Sequence, residues 1–361
     1  MKLPSLIEKV YKLVEMWVLM AVRLGLIGLG YWGPNILRNF SELPDSDVVT
    51  VCDMDASKLK KVSGDKKYKG ISTTQDANDL FSDKSLDAIV ISTPTKTHYD
   101  LTKKGLESGK HIFVEKPLTY LPEQSLELTA LAESQKRILM VGHIFLYNSV
   151  VRRMKEEINK GNLGDIRYLH ATRTGLGPIR QDVGAIWDLA PHDISIFNYL
   201  LGTKPEYASA DGRSYLQAKN EIEDLAFMSF GYPNDVMTGV NVSWLDPLKK
   251  RQLTVVGTKK MMVFDDVALN EKLVFYDRGA DYQPRSDGFG EFQLSIRDGD
   301  IIIPKIKTNE PLKEECAHFL SCIKEGKQPL TDGRNGYEVV AALDATQTSL
   351  REGRKVPIIY K

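Results

Sequence analysis

Cysteine is scarce in this chain of 361 residues: three occur, Cys52, Cys316 and Cys322. An odd count with no C-x-x-C pair, and no histidine at metal-ligand spacing, excludes a disulfide framework and a zinc site as organising devices. Reduced thiols of a cytoplasmic protein are the expectation. An excess of charge of either sign is lacking too, since 48 lysines and arginines balance 48 aspartates and glutamates. That removes the electrostatic footprint of a nucleic-acid binder and points to a small-molecule partner. Long apolar runs are absent as well. The opening segment MKLPSLIEKVYKLVEMWVLM is interrupted by Lys9, Lys12 and Glu15, so it reads as neither a membrane span nor a cleavable signal, and no membrane association is expected. No internal repeat or low-complexity tract is present.

The length is too great for one ordinary domain and comfortable for two. From about residue 22 to residue 142, short apolar runs (VRLGLIGLG, DVVTVCD, LDAIVIST, KHIFVEKP, RILMVGH) alternate with longer amphipathic segments. Such runs, flanked by Gly, Asp and Pro, read as buried parallel strands joined by crossover helices. After residue 150 the rhythm changes. Helical patterns at about 147–160 and 185–201 precede a series of strands: IRYLHATRT, EYASADGRSY, LAFMSFGY, VMTGVNVSW, RQLTVVGT, KMMVFDD and KLVFYD. Consecutive strands imply a mainly antiparallel sheet. The stretch 279–308, rich in Gly, Asp and Pro, reads as irregular. Two helices near 311–326 and 336–352 close the chain, with Asn335 and Glu338 spaced as an N-terminal capping box. The predicted fold class is α/β: an N-terminal Rossmann domain at 21–145 and a C-terminal α+β domain with a large open sheet at 146–361. Packing of the closing helices back on the first domain is an alternative left open.

The first strand runs into Gly28-Leu29-Gly30-Tyr31-Trp32-Gly33, a G-x-G-x-x-G placed between a predicted strand and a predicted helix. In that context Gly28 permits a tight turn, Gly30 admits a pyrophosphate to the backbone, and Gly33 lets helix pack on strand. Tyr31 and Trp32 lie in the same cofactor loop, and Pro34 suits the helix start. Asp53 ends the second strand, where a carboxylate accepts ribose hydroxyls and repels a 2′-phosphate. NAD is therefore favoured over NADP, with Lys58 and Lys60 the opposing signal. Residues 1–20 then read as an extension: an amphipathic helix docked on the body or, preferred, a segment preceding the true start, because Met20 stands just before the strand that opens such a domain.

The fifth strand, HIFVE, ends in Glu115-Lys116-Pro117. Ligands of open α/β sheets gather beyond the carboxyl ends of strands, so both charged side chains belong at the cofactor crevice. Pro117 disfavours a helical Lys116 and holds the exit extended. With GLGYWG, STPTKTHYD (92–100), GKHIFVEKPL (109–118), VGH (141–143) and WDLAPHD (187–193), the chain resembles the Gfo/Idh/MocA oxidoreductases over nearly all of residues 22–361. The resemblance implies that Lys116 lies between nicotinamide and substrate, that Glu115 contacts the nicotinamide end of the cofactor, and that Thr93, Pro94 and His98 line the dinucleotide.

In WDLAPHDI, Asp188 and His192 stand four apart, on one face of a helix. The spacing matches the family's Asp-x-x-x-His signature, which implies a position over the substrate. Removing the hydroxyl proton as hydride leaves calls for a base near neutrality; a histidine at about 6.5 needs no tuning, whereas a lysine at about 10.4 does. His192 is then the acid/base, Lys116 polarises the reacting oxygen and Asp188 orients either one. Family members divide the proton work between Lys and His differently, so the two roles are interchangeable on this reading. His143 lines the pocket or serves the structure. Arg173 and Arg180 flank a Gly/Pro loop and could grip a phosphate.

The combination GYWGPN, GHIFLYN, WDLAPHDI and TDGRNGYEVV is similar to family members that oxidise the sugar 3-hydroxyl of substrates such as UDP-N-acetylglucosamine. A dehydrogenase of inositol or free sugar is the second reading. A non-catalytic NAD-binding regulator, as in the yeast galactose-regulon repressor, is the third, disfavoured by the presence of Lys116, Asp188 and His192 together. Such proteins commonly pair through the open sheet face, so a homodimer or homotetramer is expected.

Overall fold

A computed structural model describes residues 21–218, 222–284 and 292–361; the expected N-terminal extension, 1–20, lies outside them. The chain divides into two compact units, one formed by 21–142 with 312–337 and the other by 143–311 with 338–361.

The first unit runs β1 (Val22–Ile27), α1 (Gly33–Glu42), β2 (Ser46–Cys52), α2 (Ala56–Gly64), β3 (Ser72–Thr74), α3 (Ala77–Ser82), β4 (Ala88–Ile91), α4 (His98–Glu107), β5 (His111–Glu115), α5 (Pro122–Ser134) and β6 (Leu139–Gly142). All six strands are parallel, in the order β3-β2-β1-β4-β5-β6. The order reverses between β1 and β4, the place where such sheets open a crevice for a ligand. Strands covered on both faces must be apolar throughout, and β4 and the middle of β5 are fully buried. The edge strand β3, only Ser-Thr-Thr, is too short and polar to show in a hydrophobic pattern.

The second unit contains α6 (Ser149–Asn159), β7 (Ile166–Thr174), α7 (Ala185–Leu201), β8 (Tyr207–Arg213), β9 (Leu225–Tyr232), β10 (Val236–Ser243), β11 (Lys250–Gly257), β12 (Met261–Asp265), β13 (Leu273–Pro284) and β14 (Phe292–Ile302). Then follow α8 (Pro311–Glu325), α9 (Gly333–Glu352) and β15 (Val356–Pro357). The nine-stranded sheet has the order β14-β13-β12-β11-β7-β10-β9-β8-β15. Its pairings are antiparallel except β7 with β10. Helix α7 packs on β7, β9 and β10, burying Ile194, Phe197 and Leu200 on one side and Ala171, Val240 and Val242 on the other.

Two expectations change. The 279–308 stretch is not irregular throughout: β13 and β14 pair from Phe275↔Ile302 to Pro284↔Phe292, because ladder hydrogen bonds tolerate a Gly/Asp-rich strand that local pattern disfavours. Residues 285–291 lie outside the description. The last long helix begins before Asn335, whose backbone N–H donates to Asp332 Oδ1 at 2.8 Å. Asp332 is therefore the cap and Asn335 sits within the first turn, an arrangement hidden because Gly333 reads as a breaker.

Helix α8 belongs to the first unit. Phe319 meets Phe40 of α1 and Phe113 of β5 edge-on, with ring centroids 6.3 and 5.8 Å apart. Ion pairs Lys313–Glu42 at 3.9 Å and Lys324–Asp45 at 2.5 Å flank that contact.

Candidate functional site

The glycine loop is shaped by two steric demands. Gly28 has φ +103°, and a Cβ there would overlap the Ser92 carbonyl oxygen; a Cβ on Gly33 would overlap the carbonyl oxygen of Gly28. Gly30 differs, since its nearest neighbour would be Ser92 O at 3.9 Å. The protein itself leaves that space open, which fits a pyrophosphate approaching the backbone at the N-terminus of α1. Asp53 anchors the loop: Oδ2 accepts the Leu29 N–H at 2.7 Å and Oδ1 accepts that of Asp55 at 2.8 Å. Lys58 Nζ stands 3.4 Å from Asp53 Oδ2. Asp55, not Asp53, caps the next helix. Tyr31 is exposed and Trp32 partly so, their rings edge-on at 5.9 Å.

Beyond β4, the Thr97 hydroxyl donates to Thr93 Oγ1 at 2.7 Å, and Pro94 precedes a single turn that leads into α4. His98 is buried, with Nδ1 2.8 Å from Pro117 O and Nε2 2.9 Å from Thr93 O. Both ring nitrogens thus face backbone carbonyls. The side chain ties the loop after β4 to the turn after β5 instead of offering a nitrogen to a dinucleotide.

At that turn the Lys116–Pro117 peptide is cis. Glu115 Oε2 accepts the Lys116 N–H at 3.3 Å, and its carboxyl is turned in against Gly142, where a Cβ would stand 3.2 Å away. Burial pushes the Glu115 carboxyl up to about 7, against the pull of the Lys116 charge.

In the second unit, α7 runs unbroken through Pro191, so Asp188 and His192 keep helical spacing on one face. The helix is seated by Glu223. Its Oε1 accepts the Ile186 N–H at 3.2 Å and its backbone carbonyl accepts that of Ala185 at 2.8 Å. This satisfies two of the orphan donors of a helix whose cap, Gly184, has no side chain. A Cβ on Gly184 would overlap the Glu223 carboxyl.

Arg180 Nη1 donates to Asp188 Oδ1 at 3.1 Å, and its Nε and Nη2 to Asp182 at 2.9 and 2.7 Å. The hydrogen bonds that the guanidinium donates to Asp182, then the charges of both aspartates, hold it more firmly protonated. Arg173 has a different environment from the one expected of it. It is buried, and Nε and Nη2 donate to Asp193 Oδ2 and Oδ1 at 2.9 Å each. Its fork is satisfied internally and is not presented to a phosphate. Phe145 lies between this pair and His192, 4.5 Å from the Arg173 guanidinium and 5.1 Å from the His192 ring. His143 is buried.

Sequence reasoning missed Phe145, Asp193 and Glu223. The first two fall inside GHIFLYN and WDLAPHD, but pairing across elements leaves no local spacing to read; Glu223 has no sequence signal. Among the described residues no cluster of three His, Cys, Asp or Glu could hold a metal, and no helix is long and apolar enough to cross a membrane.

A glycine cradle closed by Asp53, with an acid and a lysine at the end of β5, defines an NAD-binding oxidoreductase of the Rossmann class. Residues 22–143 match the model described as the oxidoreductase family with NAD-binding Rossmann fold, and residues 151–263 match the GFO/IDH/MocA C-terminal domain. The chain belongs to the Gfo/Idh/MocA oxidoreductase family. It is 26% identical to scyllo-inositol 2-dehydrogenase (NAD(+)) of Bacillus subtilis over 94% of this chain and 97% of the relative. It is also 26% identical to UDP-N-acetylglucosamine 3-dehydrogenase of Acidithiobacillus ferrooxidans over 89% and 95%. The fold matches that of the WlbA dehydrogenase from Bordetella pertussis, solved with NADH and UDP-GlcNAcA, with TM-score 0.76 and 21% identity over 94% of this chain and all of that one.

Proposed function

We propose that the chain oxidises a secondary hydroxyl, at C3, of a nucleotide sugar such as UDP-N-acetylglucosamine to the keto sugar. NAD, when bound, supplies the nicotinamide that accepts the hydride. Lys116 polarises the reacting oxygen, His192 takes the hydroxyl proton, and Asp188 holds a neighbouring hydroxyl or orients these groups. Gly30 leaves room for the pyrophosphate of the cofactor and Asp53 receives the ribose. The observation that carries the nucleotide-sugar reading is Arg180. Its partly exposed guanidinium is bonded to Asp188, a residue proposed to meet the sugar, and on this reading it exchanges its exposed Asp182 contacts for a phosphate of the substrate. The name of the Acidithiobacillus relative supports the same reading.

A second reading, an inositol or free-sugar dehydrogenase, is favoured by the commitment of Arg173 to Asp193 and by the name of the Bacillus relative. Assaying NADH formation with UDP-N-acetylglucosamine, myo-inositol and glucose separates the two. Under the first, Arg180→Ala raises KM for the nucleotide sugar. Lys116→Ala or His192→Ala keeps NAD binding and lowers turnover by orders of magnitude. Faster turnover of inositol or glucose would overturn it.

A homodimer or homotetramer is part of this reading, formed through the open face of the large sheet. Tyr168, Met237 and Phe227 are exposed there, and Tyr168 and Met237 are direct register partners. Light scattering should give the mass of a dimer or tetramer, falling to that of the monomer in Phe227→Asp.

A further inference from the structure

Arg180 lies in the stretch 175–184 that links β7 to α7, and its backbone is held from outside that stretch. Gln217, in the turn between β8 and β9, donates through Nε2 to the Arg180 carbonyl oxygen at 2.6 Å. At the far end of the residue, Nη1 donates to Asp188. Main chain and side chain of Arg180 are thus fixed by separate groups.

The turn that carries Gln217 is itself pinned. Asp224 is fully buried, and its Oδ2 accepts the N–H groups of Tyr215 and Leu216 at 2.9 and 2.7 Å. Bonds from backbone donors to a carboxylate are shorter and stronger than those between neutral groups. The Ser214 hydroxyl adds a bond to the Ile222 carbonyl oxygen at 2.6 Å. Asp224 is anchored in turn, its N–H on Arg213 O at 3.1 Å and its carbonyl on the Trp244 N–H at 2.9 Å.

The residue before it serves Asp188. Glu223 seats the N-terminus of α7 through the Ala185 and Ile186 N–H groups. Its carboxyl is also hydrogen-bonded to Gln347, whose Oε1 accepts the Trp187 Nε1–H at 3.2 Å. Two consecutive acids ahead of β9 therefore support both partners of the Arg180–Asp188 bond. Glu223 does so through the helix, and Asp224 through the turn that ends in Gln217.

We infer that Gln217 is a positioning residue for Arg180, holding it where the guanidinium meets Asp188. Asp182 cannot serve that purpose, because it stands two residues along the same loop and moves with it. Gln217 comes from another element, and its bond to the carbonyl persists while the guanidinium exchanges Asp182 for a phosphate. A loop ordered in advance lowers the ordering cost that binding would otherwise bear. The effect on substrate rests on the nucleotide-sugar reading above, whereas the effect on the loop does not.

Gln217→Met keeps the length of the side chain and removes the donor. In deuterium exchange of the full chain without ligand, this variant should exchange faster than the parent across 176–183. Its melting midpoint should stay within about 3 °C of the parent, with NAD affinity unchanged. UDP probes the phosphate role by calorimetry. It should bind about three- to tenfold more weakly to Gln217→Met, the usual contribution of one hydrogen bond. Simple loosening of the surface would weaken UDP whether or not the guanidinium is present. Positioning of Arg180 instead predicts that Gln217→Met changes UDP affinity by less than about twofold in an Arg180→Ala background, as coupled residues do. Equal exchange in parent and variant overturns the inference, as does equal UDP affinity or an undiminished loss in the Arg180→Ala background. If the parent itself does not bind UDP, the nucleotide-sugar reading fails, and the exchange measurement alone decides whether Gln217 holds the loop.

Discussion

At the residue scale, the three loop glycines dispense with a side chain for separable reasons. Gly28 and Gly33 are demanded by the protein, because a Cβ on either would run into a backbone carbonyl that no rotamer change can move aside. Gly30 is demanded by nothing in the chain itself. Gly33→Ala should therefore cost about 1–3 kcal/mol, the usual result of overpacking, in thermal denaturation without cofactor. Gly30→Ala should melt within about 0.5 kcal/mol of the parent, as surface changes do, yet bind NAD at least tenfold more weakly by calorimetry. Unaltered NAD binding in Gly30→Ala would remove the pyrophosphate from this loop. Asp53 was legible because its distance from the glycines is fixed by one strand-helix-strand unit. Asp193 was not: its partner Arg173 lies on another element, and the buried pair has no counterpart in local spacing.

At the element scale, α7 shows what pattern can and cannot reach. Strand β7 and strand β9 fall where period and composition place them, and the four-residue step from Asp188 to His192 survives Pro191. The seat of the helix was not legible, because Glu223 lies 37 residues away from Ile186 in sequence and acts through backbone N–H groups. Nor was the β13–β14 pairing, where ladder bonds overrule composition. The Arg173–Asp193 bridge joins β7 to α7 beneath Phe145, with side chains only 6% and 3% exposed. Breaking it from one side leaves an uncompensated buried charge, so Asp193→Ala should cost about 3–5 kcal/mol in chemical denaturation. Replacing both partners by apolar residues, Arg173→Met with Asp193→Leu, should cost far less, since the desolvation penalty goes with the charges. Equal losses in the single and double variants would mean that the pair orders α7 through its geometry and not through charge balance.

At the scale of the whole molecule, the first unit is completed by a segment from the far end of the chain. Loop-closure entropy grows only with the logarithm of length, so the more than two hundred residues between Phe113 and Phe319 do not prevent Phe319 from joining Phe40 and Phe113. Local periodicity marks 311–326 as a helix but carries no information about which apolar surface it covers; that depends on a matching gap over α1 and β5. Removing the ring should open a cavity among fully buried aromatics, and Phe319→Ala should cost about 3–5 kcal/mol. A fragment ending at residue 145 should do worse, because it bares Phe40, Phe113 and the Glu115 end of β5 together. Joining residues 311–337 to that fragment through a flexible linker should restore a cooperative melt and NAD binding. If the fragment alone melts cooperatively at the midpoint of the joined form, α8 merely rests on a complete Rossmann domain, and the aromatic contact contributes nothing to its folding.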